Sequence, residues 1–196
     1  TAPGSRKVLI ALARNGAMPR FVGGCVRDGL LGNPSTDLDI AVDQLPDENM
    51  RLLREAGVEV VPTGLKHGTI TAISHDQPFE ITTLRVDAES FGRQAKVAFT
   101  DDWVRDAARR DFTINAIYAD GTGDLFDPLG GIEDLVAGRV RFVGDAARRI
   151  EEDKLRILRF FRFQARFARG EPDQGALVAC AAAAPGIGGL SGERVR

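Results

Sequence analysis

Cysteine is scarce: two in 196 residues, Cys25 and Cys180, far apart and without metal-ligand spacing. That excludes a cysteine-built metal site of the usual pattern and fits a reducing compartment, with the cytoplasm as the expected location. Long hydrophobic runs are also missing, so nothing is expected to span a membrane. The first residues show no basic, apolar, small-residue series, so no secretory signal is read, and the missing initiator Met is compatible with a trimmed N-terminus. Charge of one sign is missing too. A formal net charge of −2 argues against nonspecific coating of nucleic acid, and no internal repeat is found.

What is present suits a globular domain: 43% hydrophobic residues provide a core and 28% charged residues a surface. The average charge hides an asymmetry. From Arg139 to Arg169 ten Lys/Arg stand against four Asp/Glu, a local balance of +6, and a polyanion would be held there.

Patterning predicts helices over Ser5–Ala17 (Ser5 as N-cap), Val26–Leu31, Pro46–Ala56, Asp101–Arg109, Phe112–Tyr118, Gly131–Ala137, Ala146–Glu151, Lys154–Ala168 and Ala176–Ala184. It predicts strands at Phe21-Val22, Leu38–Val42, Glu59–Val61, Thr69–Ser74, Phe79–Leu84, Leu125-Phe126 and Val140–Val143. Val86–Ala98 has no clear period and reads as a loop. The order predicts an α+β fold, a small mixed sheet with helices on one side, and not a doubly wound parallel sheet. A domain boundary is placed near Gly144.

The chemistry begins at Phe21-Val22-Gly23-Gly24-Cys25-Val26-Arg27-Asp28. A strand, a Gly-Gly bend and a helix start let backbone N–H groups approach phosphates, which a Cβ would hold away. Arg27 sits near enough to add a charge, and Asp28 is read as its brace. Asp37 and Asp39 follow, two apart on a strand, so their carboxylates share a face opposite Leu38 and Ile40. Side by side they repel unless a cation lies between them, and Mg²⁺ with substrate phosphate oxygens suits such a pair. Alone, the pair reads as solvated acids; beside Gly23, Gly24 and Arg27 the metal reading is preferred. Glu80 is a candidate third carboxylate whose facing depends on strand register.

The Gly-Gly-Cys-Val-Arg-Asp and Asp-Leu-Asp arrangement resembles the signature of the class II tRNA nucleotidyltransferase and bacterial poly(A) polymerase family. Three more segments agree in order and spacing: Arg109-Arg110-Asp111-Phe112-Thr113-Ile114-Asn115-Ala116; Asp127-Pro128-Leu129-Gly130-Gly131 with Asp134-Leu135; and Glu152-Asp153-Lys154-Leu155-Arg156, continuing to Arg159 and Arg162. The match runs from about Phe21 to Phe167.

The resemblance implies a polymerase-β-like nucleotidyltransferase head over residues 1–143 and the start of a helical neck over 144–196. It implies that Asp37 and Asp39 bind two Mg²⁺ ions that activate an RNA 3′-hydroxyl and stabilise the pyrophosphate leaving group. Gly23, Gly24 and Arg27 would hold the triphosphate, with Arg110 and Asp111 on its phosphate and ribose side. Asp153, Arg156, Arg159 and Arg162 recur every third residue along one side of a helix. In the family such positions act as a protein template selecting CTP and ATP, Asp153 and Arg156 reading the base edge. Read without the resemblance, Asp153 is a helix N-cap and the arginines a solvated face. Leu155, Leu158 and Phe161 are expected to form the buried stripe, Phe160, Phe163 and Phe167 to be core, and His67 to be structural. A loop around Phe91-Gly92-Arg93 is expected to order during catalysis.

The expected activity is addition of CMP and AMP to the 3′ end of tRNA, with RNA and nucleoside triphosphates as partners. A poly(A) polymerase is the near alternative, and a catalytically silent RNA- or nucleotide-binding module the distant one. Because family members continue into helical body and tail domains, nucleotide binding is expected to survive in this chain and tRNA tailing to suffer.

Overall fold

The computed structural model describes residues 2–33, 35–87 and 97–195, and they divide into two compact units. The first takes residues 1–109 and 117–126, the second residues 110–116 and 127–196.

The first unit is built on a seven-stranded sheet in the order β3-β4-β5-β2-β1-β8-β9. Its strands are β1 (Arg20–Val22), β2 (Leu38–Val42), β3 (Glu59–Gly64), β4 (Thr69–Ser74), β5 (Gln77–Thr83), β8 (Tyr118–Ala119) and β9 (Leu125–Phe126). The sheet is mixed, as expected: β2 and β5 run parallel, while β1 pairs antiparallel with β2 and β8. Alternation sorts its faces. Ile40, Val42, Ile70, Ala72, Phe79 and Ile81 form one core cluster with Val8, Leu9 and Leu12 of α1 (Pro3–Leu12) and Leu53 of α3 (Pro46–Glu55). Burial of each such large side chain contributes about 1.5–3 kcal/mol, which holds both helices on that face.

A two-residue turn at His75 and Asp76, both with positive φ, joins β4 to β5 and pairs Ser74 with Gln77. Such a turn fixes register, and here it brings Glu80 level with Thr71 on one side and Asp39 on the other.

Several expectations are corrected. α1 starts at Pro3, after Ala2, and Ser5 is buried within it; Pro at the first turn outcompetes a Ser cap that would leave the proline outside. The predicted helix 112–118 is a single 3₁₀ turn, Thr113–Asn115, because Tyr118 is taken into the sheet opposite Val22. The predicted strand 140–143 is no strand: Phe142 makes one isolated bridge to Phe112. Ends of the expected 86–98 loop pair as β6 (Arg85–Asp87) and β7 (Val97–Phe99); Phe91, Gly92 and Arg93 lie outside the described residues. α4 (Trp103–Ala108), capped by Asp102, follows.

The second unit is helical: α5 (Gly131–Ala137), α6 (Ala146–Glu152), α7 (Leu155–Phe167), α8 (Gln174–Ala183) and the short α9 (Gly192–Val195). Gly138 ends α5 at φ +65, and a Cβ there would lie 2.9 Å from the Arg169 backbone nitrogen, so the position requires glycine. In α7 the buried residues are Ile157 and Phe160, not the expected Leu155, Leu158 and Phe161; Phe161 is 50% exposed. Phe160 stacks on Phe142, 5.4 Å between centroids, and this contact rotates the helix away from the predicted stripe. Among the described residues no helix is long and apolar enough to cross a membrane.

Candidate active site

In the first unit, β1 ends at Val22 and the chain bends at Gly23, whose φ of 76 and ψ of −128 are open to glycine and strained for any other residue. The Gly23 N–H donates to the Ile117 carbonyl at 3.3 Å, tying the bend to the residue before β8. α2 (Gly24–Leu30) follows at once. A Cβ on Gly24 would meet the Arg27 guanidinium at 3.6 Å, an ordinary contact. Arg27 is buried, and its Nε donates to Asp28 Oδ1 at 2.8 Å, so Asp28 does brace it.

Asp39 stands on the strand next to this bend. Antiparallel pairing of Phe21 with Ile40 brings β2 alongside β1, and the Cys25 thiol reaches the Asp39 carbonyl at 3.8 Å and the Val22 carbonyl at 3.3 Å. Burial pushes the Cys25 thiol above its ordinary value, and the negative charge of Asp39 adds to the rise. Asp39 and Asp37 are both exposed, whereas Ile40 is fully buried. β2 begins at Leu38, so strand alternation governs Asp39 but not Asp37. Asp37 is placed instead by a turn in which its N–H donates to the Ser35 hydroxyl at 3.2 Å. Glu80, also exposed, is in register with Asp39 on the neighbouring strand.

Every candidate donor here is a carboxylate oxygen, a hard set suited to Mg²⁺ and unsuited to soft metals. Among the described residues no group of three acid, His or Cys side chains converges on one point. His67 is exposed, and its backbone carbonyl accepts from the Arg85 guanidinium. An apolar hollow of about 430 Å³ lies by Phe21, Cys25, Val26 and Leu38 and includes none of the candidate ligands.

The second unit holds the remaining candidates, and several are engaged with each other. Asp111 is buried; its Oδ1 accepts from the Phe112 N–H at 2.8 Å and Asn115 Nδ2 at 3.0 Å, and its Oδ2 from Arg159 Nε at 2.7 Å. Arg110 is half-buried and donates to the Asn115 carbonyl at 3.5 Å. Arg156 donates to the Arg149 carbonyl at 2.8 Å and to Glu152 at 2.5 Å. Asp153 lies at the break between α6 and α7; it ends α6, and its Oδ1 accepts from the Leu155 N–H at 3.1 Å, while the N-cap position of α7 falls to Lys154 and not to Asp153 as expected. Arg162 is exposed.

Asn115 and Glu152 stood in the motifs without assigned roles. The Glu152–Arg156 spacing of four on a helical pattern was the available signal for one of them. Asp111 and Arg159 are 48 residues apart, and nothing local announces such a pair.

Residues 19–141 match the family model described as the poly A polymerase head domain. The chain is 48% identical over 179 residues to the human CCA tRNA nucleotidyltransferase 1, mitochondrial, covering 90% of this chain and 41% of that protein. It is 39% identical over 196 residues to the CCA-adding enzyme of Leuconostoc mesenteroides, covering 98% of this chain and 47% of the relative. Among solved structures it resembles the Bacillus stearothermophilus CCA-adding enzyme in complex with CTP: TM-score 0.86, 34% identity, all of this chain and 47% of that one. A tRNA nucleotidyltransferase complexed with a primer tRNA and an incoming ATP analog follows at TM-score 0.75 and 29% identity, over 96% of this chain and 53% of that one. The chain thus spans about half the length of these relatives or less. The resemblance read from the four motifs is borne out.

Proposed function

From the premise that the chain belongs to the poly A polymerase head domain family, we propose that it forms the catalytic head and the start of the neck of a template-independent RNA nucleotidyltransferase. Residues 1–143 are assigned to the head and 144–196 to the neck. The reaction is addition of CMP and then AMP to the 3′ end of tRNA, with CTP and ATP as substrates and RNA as partner. One observation carries this reading: Asp39 is exposed, with the exposed Asp37 two residues before it, on the strand next to a bend at Gly23 that only glycine adopts without strain.

The residues divide the work. The bend at Gly23 and the lack of a Cβ at Gly24 let phosphate oxygens approach the start of α2, and the braced Arg27 adds a fixed positive charge. Asp37 and Asp39 would hold two Mg²⁺ ions, which supply charge neutralisation at the triphosphate and acidify the attacking 3′-hydroxyl. Arg110 and Asp111 are assigned to the phosphate and ribose side, and Asp153 and Arg156, with Arg159 and Arg162, to choice of the base. An acceptor-only carboxylate rewards the exocyclic amine that cytosine and adenine share. Catalysis on this plan is positioning and electrostatics, the main resources of phosphoryl transfer. The two-cysteine composition supports a reducing compartment, and the cytoplasm is the proposed one.

The test is Asp39→Ala in the full-length protein, given tRNA ending before CCA with CTP and ATP supplied separately. Incorporation should fall by at least three orders of magnitude while the fold is retained, since an exposed carboxylate is lost and no core. Near-parental turnover would overturn the metal assignment. Incorporation of A alone, in long tracts, by the parent protein would favour the poly(A) polymerase reading.

A further inference from the structure

Behind Asp39 lies the apolar hollow of about 430 Å³, built wholly from the first unit. Phe21 pairs with Ile40 on the helix-covered face of the sheet, and Leu38 shares that face by alternation, while Asp39 between Leu38 and Ile40 turns the other way. Three of the residues around the hollow are fastened to the acids. Ser35 Oγ donates to the Asp37 carbonyl at 3.1 Å and accepts from the Asp37 N–H at 3.2 Å. Leu38 joins the two acids in the chain. The Cys25 thiol donates to the Asp39 carbonyl at 3.8 Å. An occupant would press on the backbone of both acids and meet neither carboxylate.

The lining also decides what that occupant is. Among the described residues none of its walls carries a charge, so a phosphate, a nucleotide or a carboxylate would be stripped of water there and find no partner. An apolar lining with a few polar groups, here Ser5 and Gln77, is what small-molecule pockets of about 300–1,000 Å³ have.

We infer that this hollow is a binding site for a neutral, mainly apolar small molecule, and that its occupation weakens the binding of Mg²⁺ with CTP on the opposite face of the sheet. The coupling rests on the proposed reading of Asp37 and Asp39 as metal ligands; the site itself does not. The sign of the coupling comes from Asp37, which precedes β2 in the turn held by Ser35. Bringing its carboxylate together with that of Asp39 on one cation shifts the segment that carries Ser35 and Leu38. A molecule wedged against both residues resists that shift.

The experiment titrates the protein with 2-naphthol, a neutral aromatic, and with 2-naphthoate, its charged counterpart, using calorimetry and ligand-observed NMR. Saturable binding of 2-naphthol is expected with a dissociation constant on the order of 0.1–1 mM, the scale set by roughly eleven non-hydrogen atoms, and 2-naphthoate should bind at least tenfold more weakly. Gly29→Leu fills the hollow from α2: a Cβ at Gly29 meets nothing within 4 Å, and leucine is the better helix former. The variant should melt no lower than the parent and lose at least tenfold in 2-naphthol affinity. Undiminished binding in Gly29→Leu, or equal binding of 2-naphthoate, would overturn the site. So would a dimer of the parent that Gly29→Leu dissociates in sedimentation, since the hollow would then belong to a second copy.

Saturating 2-naphthol should weaken Mg²⁺-dependent CTP binding about fivefold, and Mg²⁺ with CTP should weaken 2-naphthol by the same factor, because coupling is reciprocal. Ser35→Ala should keep 2-naphthol binding and bring that factor towards one. An unchanged CTP affinity in the parent would overturn the coupling and leave the metal reading standing. If Asp39→Ala still binds CTP with Mg²⁺ and 2-naphthol still weakens it, the metal reading falls and the hollow stands.

Discussion

Asp111 and Arg159 meet through a single carboxylate oxygen: Oδ2 lies 2.7 Å from Arg159 Nε and 2.6 Å from Nη2. The side chain of Asp111 is 11% exposed and that of Arg159 40%, so the acid depends on the pair more than the arginine does. Removing one partner of a buried pair costs more than the pair itself contributes, because the survivor is stranded. Arg159→Ala leaves the acid its two Oδ1 bonds and should destabilise the protein by about 1–2 kcal/mol. Asp111→Ala loses the pair and also strands the buried Phe112 N–H and Asn115 amide, and should cost about 2–4 kcal/mol. Urea unfolding of both variants checks the order. A larger loss for Arg159→Ala would contradict it.

The two glycines of the bend should part company. At Gly23 an added Cβ is strained by the backbone itself, φ 76 and ψ −128, at a cost of about 1–3 kcal/mol. At Gly24 the backbone is helical and a Cβ meets Arg27 only at 3.6 Å. Gly23→Ala should thus lower the melting temperature clearly, while Gly24→Ala should unfold like the parent. If the bend cradles phosphates, Gly24→Ala will still bind CTP weakly, because the methyl stands where the ligand must come. Parental CTP affinity in Gly24→Ala would remove Gly24 from the site.

Where local chemistry decided the structure, it was legible. β2, β4 and β9 fall where alternation placed them, and α5 runs between the glycines that bound it. Residues 112–118 were misread because their apolar spacing suits a helix as well as a strand entry. The deciding contact, Tyr118 opposite Val22, joins residues 96 apart. The Gly-Gly bend showed in the sequence because spacing alone carries it, whereas Asp37, expected to share a strand face with Asp39, lies before β2 in a turn held by Ser35. What the neck candidates touch was not legible, since Arg159 finds Asp111, and Arg194 finds Asp153, only once the chain has folded.

Cys25 gives a prediction in pH. Burial raises its pKa in the folded protein above the ordinary 9.0, and the Asp39 charge adds to this. The folded state therefore keeps the thiol proton that the unfolded chain gives up. Stability is unaffected below pH 9.0 and falls as pH rises from there through the folded pKa. Cys25→Ser should flatten that alkaline decline relative to the parent in unfolding measured from pH 8 to 10.5. Alkylation of native protein at pH 8 should be slower at Cys25 than for a free thiol, because thiolate is the reacting form. Fast alkylation at Cys25 would mean its environment is wetter than the structure shows.

Glu80 and Asp39 sit opposite each other on parallel neighbouring strands, both exposed and both acidic. Like charges so placed destabilise a sheet by about 0.2–1 kcal/mol. With divalent cations removed by chelation, Glu80→Gln should therefore raise stability by about that amount. The same change withdraws negative potential from the place where Mg²⁺ is proposed to bind. Stabilisation by added Mg²⁺ and CTP follows the logarithm of ligand over Kd, so the variant should gain less from them than the parent. The two effects have opposite signs, and a generic improvement in folding would produce only the first. Should Glu80→Gln be more stable in chelator yet gain as much from Mg²⁺ and CTP as the parent, Glu80 lies outside the field of the metal site, and Asp37 and Asp39 act without it.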